Sequence, residues 1–559
     1  MTPGGVSVVD AFRAVAAAVG DRTALVHRGR RWTYAELADR VERAGRVFTA
    51  AGLGVRRERP DLAGHEIGQD LVAIDAHNGV EWLEALFGAF AARVAPANVN
   101  TRYTPEELVE LLGMLGPAAL VHHRSLAEAL VEALAELAPA GIDPVCWSID
   151  DGTGPRVGVE WSTALDTAPP LELPPSDPDD LYILCTGGTT GRPKGVLWRQ
   201  GDALVAAFGV SRRDGTPYRH AEEVGEAAAR RRARVICPAP PLMHGAAQWL
   251  SVQALCSGHT LVMPDVVAHL DAADLWDTVE REEVEVLQIV GDAFAVPLLE
   301  EFRARPRSVG SLGLVVSGGA PLQPTHKAAL LEVLGDGARI RDSLGSSETG
   351  LQARHTSRPG EVATGRFRPG PDTRVVDAAR RRFVAPPPGP GAGSGTETEP
   401  GWLAQAGPVP LGYLGDAEAT ARTFPVVEGV RVSVPGDRAR WAGPDEIELL
   451  GRDSVTIVTG GEKVFAEEVE AVVKTHPRVV DAVVCGVPSR RWGSEVTAVV
   501  AVAGGALGLE ELRDHCRRHL AGYKVPRRLV VVDTVRRSPA GKPDYRWAVD
   551  TALGSVGTD

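Results

Sequence analysis

Short apolar, β-rich runs alternate with longer helical patterns through the first 350 residues of this 559-residue chain, and that alternation constrains the fold more than any other feature. "LVAIDAHN" precedes "VEWLEALFGAFAA", "ALVHH" precedes "SLAEALVEALAELA", "VLQIV" precedes "AFAVPLLEEF", and "LGLVVSGG" precedes "PTHKAALLEVL". Strands separated by helices cannot pair through tight turns, so the pattern predicts parallel sheets covered by helices. Ligands in such sheets bind at loops beyond the C-terminal ends of strands. "GLVVSGGAPL", with Gly318 and Gly319, and "RIRDSLGSSETG", with Asp342, both place small polar residues there.

A chain of this length exceeds the size at which one hydrophobic core stops growing, so two or more domains are expected. After residue 400 the texture becomes β-rich, and "LLGRDSVTIVTGGEKVFAEEVEAVVKTHP" opens a compact segment with its own helix and strands. The boundary is placed near Gly451, giving a large α/β domain with a β-rich subdomain over 1–451 and a small mobile α+β lid over 452–559. Residues 56–70 and the Pro/Gly/Ser-rich residues 385–400 read as loops.

The formal net charge of -13 disfavours nucleic acid or an anionic membrane as the main partner, since either calls for a basic surface. The N-terminus reads as an amphipathic helix and not as a signal peptide, and no run of about 18 apolar residues could span a bilayer. A soluble cytoplasmic protein is the expectation, with a homodimer left open. The 6 cysteines lie far apart with no C-x-x-C pair, which argues against structural zinc and against a disulfide framework.

"CTGGTTGRPKG", residues 185–195, follows the apolar run "LYIL". A strand running into a glycine-rich turn presents several N–H groups to one point, and such a nest binds anions. Thr186, Gly187, Gly188, Thr189, Thr190 and Lys194 supply the backbone, hydroxyl and ammonium donors that a polyphosphate needs. It is not a Walker loop, because Pro193 precedes the lysine, Gly195 follows it, and "VLW" continues as a strand. Two strands flanking a phosphate-binding loop is the reading preferred over an incidental hairpin turn.

Later segments extend this. "SLGSSETG" puts Ser347 and Glu348 in a tight loop suited to a phosphate and to one carboxylate on Mg²⁺, with a solvated turn as the plain alternative. "VPGDRARW" sets Asp437 where it can accept from a ribose diol, though Pro-Gly-Asp is also ordinary turn chemistry. "SPAGKPDYRW" exposes Lys542 on a turn near the C-terminus.

Taken together and in this order, "TGGTTGRPKGV", "GSSETG", "PGDRAR", "LLGRDSVTIVTGGEKVFAEEVE" and "SPAGKPDYR" resemble the adenylate-forming superfamily over nearly the whole chain. "GGTTGRPKGVLWRQ", "PPLMHGAAQW" and "GGEKVFAEEVEAVVKTHP" look most like bacterial fatty-acyl and steroid-side-chain CoA ligases. The resemblance implies two steps: a carboxylate attacks the α-phosphate of ATP and releases pyrophosphate, then a thiol displaces AMP. It implies that Thr186 to Thr190 and Lys194 surround the outer phosphates, Glu348 holds Mg²⁺, Ser347, Gly319 and Asp342 serve the nucleotide, and Asp437 and Arg452 lie at the ribose. Lys542 would bridge the acid and the α-phosphate, His244, Gly245 and Gly318 would line the acyl pocket, and Gly460 and Gly461 the pantetheine channel of coenzyme A after a large rotation of the lid. His244 as a helix-capping or core residue, and Gly460 and Gly461 as a plain tight turn, stay open. "RRW" (490–492) and "YKVPRR" (523–528) are candidates for the phosphates of coenzyme A, against the alternative of a solvated charged face.

The chain departs from the family pattern in places. Leu344 stands where an aromatic residue stacks on adenine, Ser454 occupies the hinge, and Val458 and Ala466 replace Asn and Pro. The changes at Val458 and Ala466 keep open a second acceptor or oxyanion: a carrier-protein thiol, an amine, or nitrite. A non-catalytic nucleotide-binding protein is the third reading, opposed by the retention of Lys194, Glu348, Asp437, Arg452 and Lys542.

Overall fold

Strand Leu71–Asp75 shows how the chain builds its layers. Leu71 and Ala73 pack into one apolar cluster and Val72 and Ile74 into another, so both faces are buried and the run reads as continuously apolar. The structure, a computed structural model, describes residues 5–187, 193–320, 322, 324–362, 365–388, 398–452, 456–505, 507–536 and 544–554. The four strand–helix alternations read from the sequence are present as Leu71–Asp75 with Val80–Ala91, Ala119–His123 with Ala127–Leu137, Val286–Ile289 with Gly291–Ala304, and Leu314–Gly318 with Pro324–Leu334. The N-terminal amphipathic helix is Val8–Ala18, capped by the Ser7 hydroxyl.

Two sheets carry the large part of the chain. One has 8 strands among the described residues, parallel apart from the strands Pro193–Arg199 and Gly412–Tyr413 at one edge. The other has 14, parallel from Thr23–His27 through Arg339–Ser346 and antiparallel beyond. Helices Val8–Ala18, Tyr34–Ala50 and Val80–Ala91 fill the space between the sheets in one shared cluster. Helices Pro105–Leu115 and Ala127–Leu137 cover the outer face of the first sheet, and Ala272–Arg281, Gly291–Ala304 and Pro324–Leu334 that of the second. Val80–Ala91 is apolar on nearly all sides because it is enclosed. Its buried Glu84 is held by Arg40 and by Trp161 Nε1 at 2.8 Å.

Strands Asp437–Gly443 and Glu446–Arg452 are the last in chain order to join the large sheet, lying inside it between Gly401–Gln405 and Arg366–Pro369. The next strand, Thr456–Thr459, belongs to a separate sheet with Glu462–Phe465, Val479–Ser489, Gly493–Val502 and Arg528–Val532. Helices Ala466–Lys474 and Leu509–Arg517 pack on one side of this smaller sheet and Tyr545–Gly554 on the other. No helix among the described residues is long and apolar enough to cross a membrane.

Candidate active site

The glycine-rich stretch forms the hairpin its composition predicts. Strands Leu181–Gly187 and Pro193–Arg199 are antiparallel, with Thr186 opposite Lys194 and Gly187 opposite Pro193. Gly188, Thr189 and Thr190 lie outside the described residues. Thr186 and Lys194 both face a cavity of about 820 Å³ that opens between the two sheets.

A second hairpin meets the first across this cavity. Strands Arg339–Ser346 and Gly350–Ser357 are closed by a tight turn in which the Ser346 N–H donates to Thr349 Oγ1 at 2.9 Å. The turn presents Ser347 and Glu348 to the cavity. Trp198, from the first hairpin, donates to the Ser347 carbonyl at 2.8 Å. Tyr413, which the sequence reading did not single out, joins the two: its hydroxyl donates to Glu348 Oε1 at 2.9 Å, and Lys194 Nζ stands 4.8 Å from its ring centroid. Among the described residues no three His, Cys, Asp or Glu side chains gather into a metal site. Glu348, set in the turn beside Ser347, fits a Mg²⁺ that arrives with phosphates and takes one carboxylate from the protein.

Alternation along Arg339–Ser346 decides which neighbours take part. Ser343 and Gly345 face the cavity, whereas Leu344 packs against the cluster of Val375, Leu403 and Trp441 on the other side. Asp342 lies off the cavity wall and pairs with buried Lys327 at 2.6 Å. Gly318 and Gly319 line the cavity at the end of Leu314–Gly318. Asp437 and Arg452 stand opposite each other on paired strands, with Asp437 off the cavity lining and two residues after the lining residue Pro435. Lys542 and Ser454 lie outside the described residues.

The third wall comes from the small sheet. His244 is the N-cap residue of helix Gly245–Leu255, yet its side chain makes no capping bond. Its Nε2 lies 2.9 Å from Glu462 Oε1, and Arg102 Nη1 reaches the same oxygen at 2.9 Å. Burial alone would push the Glu462 carboxyl up, but His244, Arg102 and Lys524 together hold it below the usual carboxylate range. Gly460 and Gly461 turn the chain into Glu462 with φ of 58° and 84°. A Cβ on Gly461 would stand 2.3 Å from Val290 Cγ1, and one on Gly460 3.1 Å from Trp492. The backbone favours glycine at both positions, space excludes a side chain at Gly461 and makes one tight at Gly460, and Gly461 also lines the cavity.

Lys524 is buried between Glu107 and Glu468, at 2.7 Å from each, and so ties the small sheet unit to helix Pro105–Leu115. Of the basic segments read as phosphate ligands, Lys524 is thus committed to carboxylates, while Arg491 and Arg527 both lie over the Trp492 ring, at 4.8 and 3.9 Å from its centroid. Cys185 lines the cavity with its backbone clamped by Asn98, and burial pushes its thiol up to about 12. It is a packing residue. Ala466 is buried in the small core.

The chain matches the AMP-binding enzyme family over residues 12–395 and the AMP-binding enzyme C-terminal domain over residues 468–542. It is 48% identical to "Medium-chain acyl-CoA ligase Mig" of Mycobacterium avium, covering 97% of each chain. It is 36% identical to the 3-oxocholest-4-en-26-oate–CoA ligase of Rhodococcus rhodochrous, covering 95% of this chain and 93% of that one. Among solved structures, the amide bond synthetase McbA of Marinactinospora thermotolerans superimposes with a TM-score of 0.76 at 24% identity, over 98% of this chain and 99% of that one, which shows the shared fold.

Proposed function

The chain belongs to the AMP-binding enzyme family, and from that membership we propose that it activates a hydrophobic carboxylic acid with ATP and transfers the acyl group to coenzyme A. The products are acyl-CoA, AMP and pyrophosphate. The observation that carries this reading is the convergence of three walls on one cavity: the Thr186–Lys194 hairpin, the Ser347–Glu348 hairpin, and the Gly461–Glu462 turn of the small sheet unit.

In the first step the acid's carboxylate oxygen attacks the α-phosphorus and pyrophosphate leaves. Two anions approach each other, so charge neutralisation and alignment dominate. Lys194 and the Thr186 hydroxyl serve the leaving phosphates together with Thr189 and Thr190. Ser347 faces the α-phosphate, and Asp437 with Arg452 takes the ribose. Glu348, oriented by Tyr413, is the residue to hold Mg²⁺, which when bound neutralises phosphate charge. Gly319 completes the nucleotide side of this assignment, while Asp342, off the cavity wall and paired with buried Lys327, supports the strand that ends at Ser346. Lys542 is assigned to the acid and the α-phosphate, as a point charge on a long stem.

In the second step the thiol sulfur attacks the acyl carbonyl and AMP leaves with the bridging oxygen. The turn at Gly460 and Gly461 offers a wall without side chains for the pantetheine arm, and Glu462 orients His244 toward the acyl end beside Gly245 and Gly318. The docked arrangement, with this turn at the cavity, is the one suited to thiol transfer. The division into 1–451 and 452–559 is supported by the change of sheet between Arg452 and Thr456, which leaves Arg452 itself on the last strand of the large sheet in chain order. A cytoplasmic location and a homodimer go with the reading as expectations, and sedimentation of the purified protein reports the second.

Acid-dependent exchange of pyrophosphate into ATP, followed by acyl-CoA formation on adding coenzyme A, tests the proposal across a panel of medium-chain and steroid-side-chain acids. Turnover that ignores coenzyme A and yields no acyl-CoA would overturn it. Burial of Ala466 in the core gives its departure from the family pattern a packing explanation, so it does not favour another acceptor.

A further inference from the structure

The far end of the cavity is not apolar. Its floor is formed by strands Val286–Ile289, Leu314–Gly318 and Arg339–Ser346, in register with Val286 beside Leu314, Val316 beside Arg341, and Gly318 beside Ser343. Alternate residues face inward, so Leu314, Val316 and Gly318 line the cavity from one strand and Arg341, Ser343 and Gly345 from the next. The strands are parallel, and their C-terminal ends carry the hairpin and glycine turns of the reacting end. Arg341 lies four residues upstream of Gly345, about 13 Å away at the rise of an extended strand.

Three more arginines, Arg231, Arg234 and Arg354, line the cavity with Arg341. Among the described residues none of the four is paired with a carboxylate; Arg231 reaches only the Tyr218 hydroxyl, at 3.5 Å. Nε of Arg341 is buried with no hydrogen-bond partner, and burial, then the charges of Arg354 and Arg234, push its pKa down. The carboxylate of this neighbourhood, Glu285, is engaged by Arg232. His259, also on the wall, is held neutral: burial, then Arg231 and Arg234, push it down to about 4. Its Nδ1 accepts the Arg234 backbone N–H at 3.2 Å, which leaves the ring proton on Nε2 as one more donor. A buried guanidinium donor among like charges is costly unless an acceptor comes to it. An acid with a purely apolar tail brings none.

We propose that the acid activated here carries a second carboxylate at the end remote from the reacting one, received by Arg341 with Arg234 and Arg354. This rests on the ligase reading above and adds a substrate class to it. The separation along the strand suits α,ω-dicarboxylic acids of roughly eight to twelve carbons.

The test measures kcat/KM for acyl-CoA formation with three acids of each length: the α,ω-diacid, its monomethyl ester and the monocarboxylic acid. The diacid is expected to lead both others by about tenfold or more, the scale of one hydrogen bond to a charged group. In Arg341→Met and, separately, Arg354→Met, the ratio of diacid to monoacid falls by a similar factor. Because the ratio is taken within one preparation, a misfolded fraction cancels. Equal turnover of the three acids, or a ratio unchanged in both variants, overturns the inference while leaving the ligase reading standing. Absence of acyl-CoA from every acid overturns the ligase reading itself.

Discussion

Replacing Gly461 by alanine separates the two half-reactions. The residue has φ 84°, and its added Cβ would stand 2.3 Å from Val290 Cγ1. Left-handed backbone costs an L-residue roughly 1–2 kcal/mol, and forcing a methyl group into occupied space typically costs about 1–3 kcal/mol. The docked arrangement of the small sheet unit is therefore destabilised by roughly 2–5 kcal/mol, which lowers its population on the order of 30- to 5,000-fold. Acyl-CoA formation in single turnover from preformed acyl-adenylate should fall by that factor. Acid-dependent pyrophosphate exchange, which does not use this turn, should stay within about threefold. A second change, Val290→Ala, removes Cγ1 and should return the steric part, roughly 5- to 160-fold, but not the backbone part. Equal loss in both assays, or no gain from Val290→Ala in the Gly461→Ala background, would refute the reasoning.

Tyr413→Phe removes the hydroxyl that donates to Glu348 while keeping the ring beside Lys194; the Mg²⁺ and ATP concentrations for half-maximal exchange should rise about fivefold with kcat little changed, and unchanged half-saturation would contradict the role given to Tyr413. Asp75 is buried with Oδ1 unpartnered, and burial pushes its carboxyl up to about 7. The folded state then holds a proton that the unfolded state has released, so stability falls as pH rises from the unfolded value toward 7, by a few kcal/mol at most. Asp75→Asn should flatten that part of the thermal-unfolding profile, and an unaltered slope would show that Asp75 ionises freely. Cys185 faces the cavity but has its thiol pushed up to about 12; iodoacetamide at pH 8 should label it only in denaturant, and rapid labelling of the native protein would contradict the assignment as a packing residue.

The parallel sheets were legible because each strand is followed by a helix, and the phosphate hairpin because glycines, threonines and a lysine crowd into one turn. What was not legible depends on docking between segments far apart in the chain. Glu462 stands in a quoted motif, but its partners His244 and Arg102 lie 218 and 360 residues away. Tyr413 sits in an unremarkable edge strand and gains its place only by pairing beside Val196. Lys524 reads as one cation of a basic run, yet two carboxylates from different units enclose it. Leu344 and Asp342 show the limit of motif reasoning about side-chain direction. They flank the inward-facing Ser343, and the pleat with its local bulge decides that Leu344 joins a separate core and Asp342 meets Lys327.

The central claim, an acyl-adenylate that passes its acyl group to coenzyme A, is tested most directly by isotope transfer from the acid. With both carboxylate oxygens of the acid labelled as ¹⁸O, the oxygen that attacks the α-phosphorus stays with the nucleotide when the thiol breaks the C–O bond. Mass spectrometry should find one labelled oxygen in AMP and an equal amount of acyl-CoA. Unlabelled AMP, or labelled AMP formed without acyl-CoA, would contradict the account.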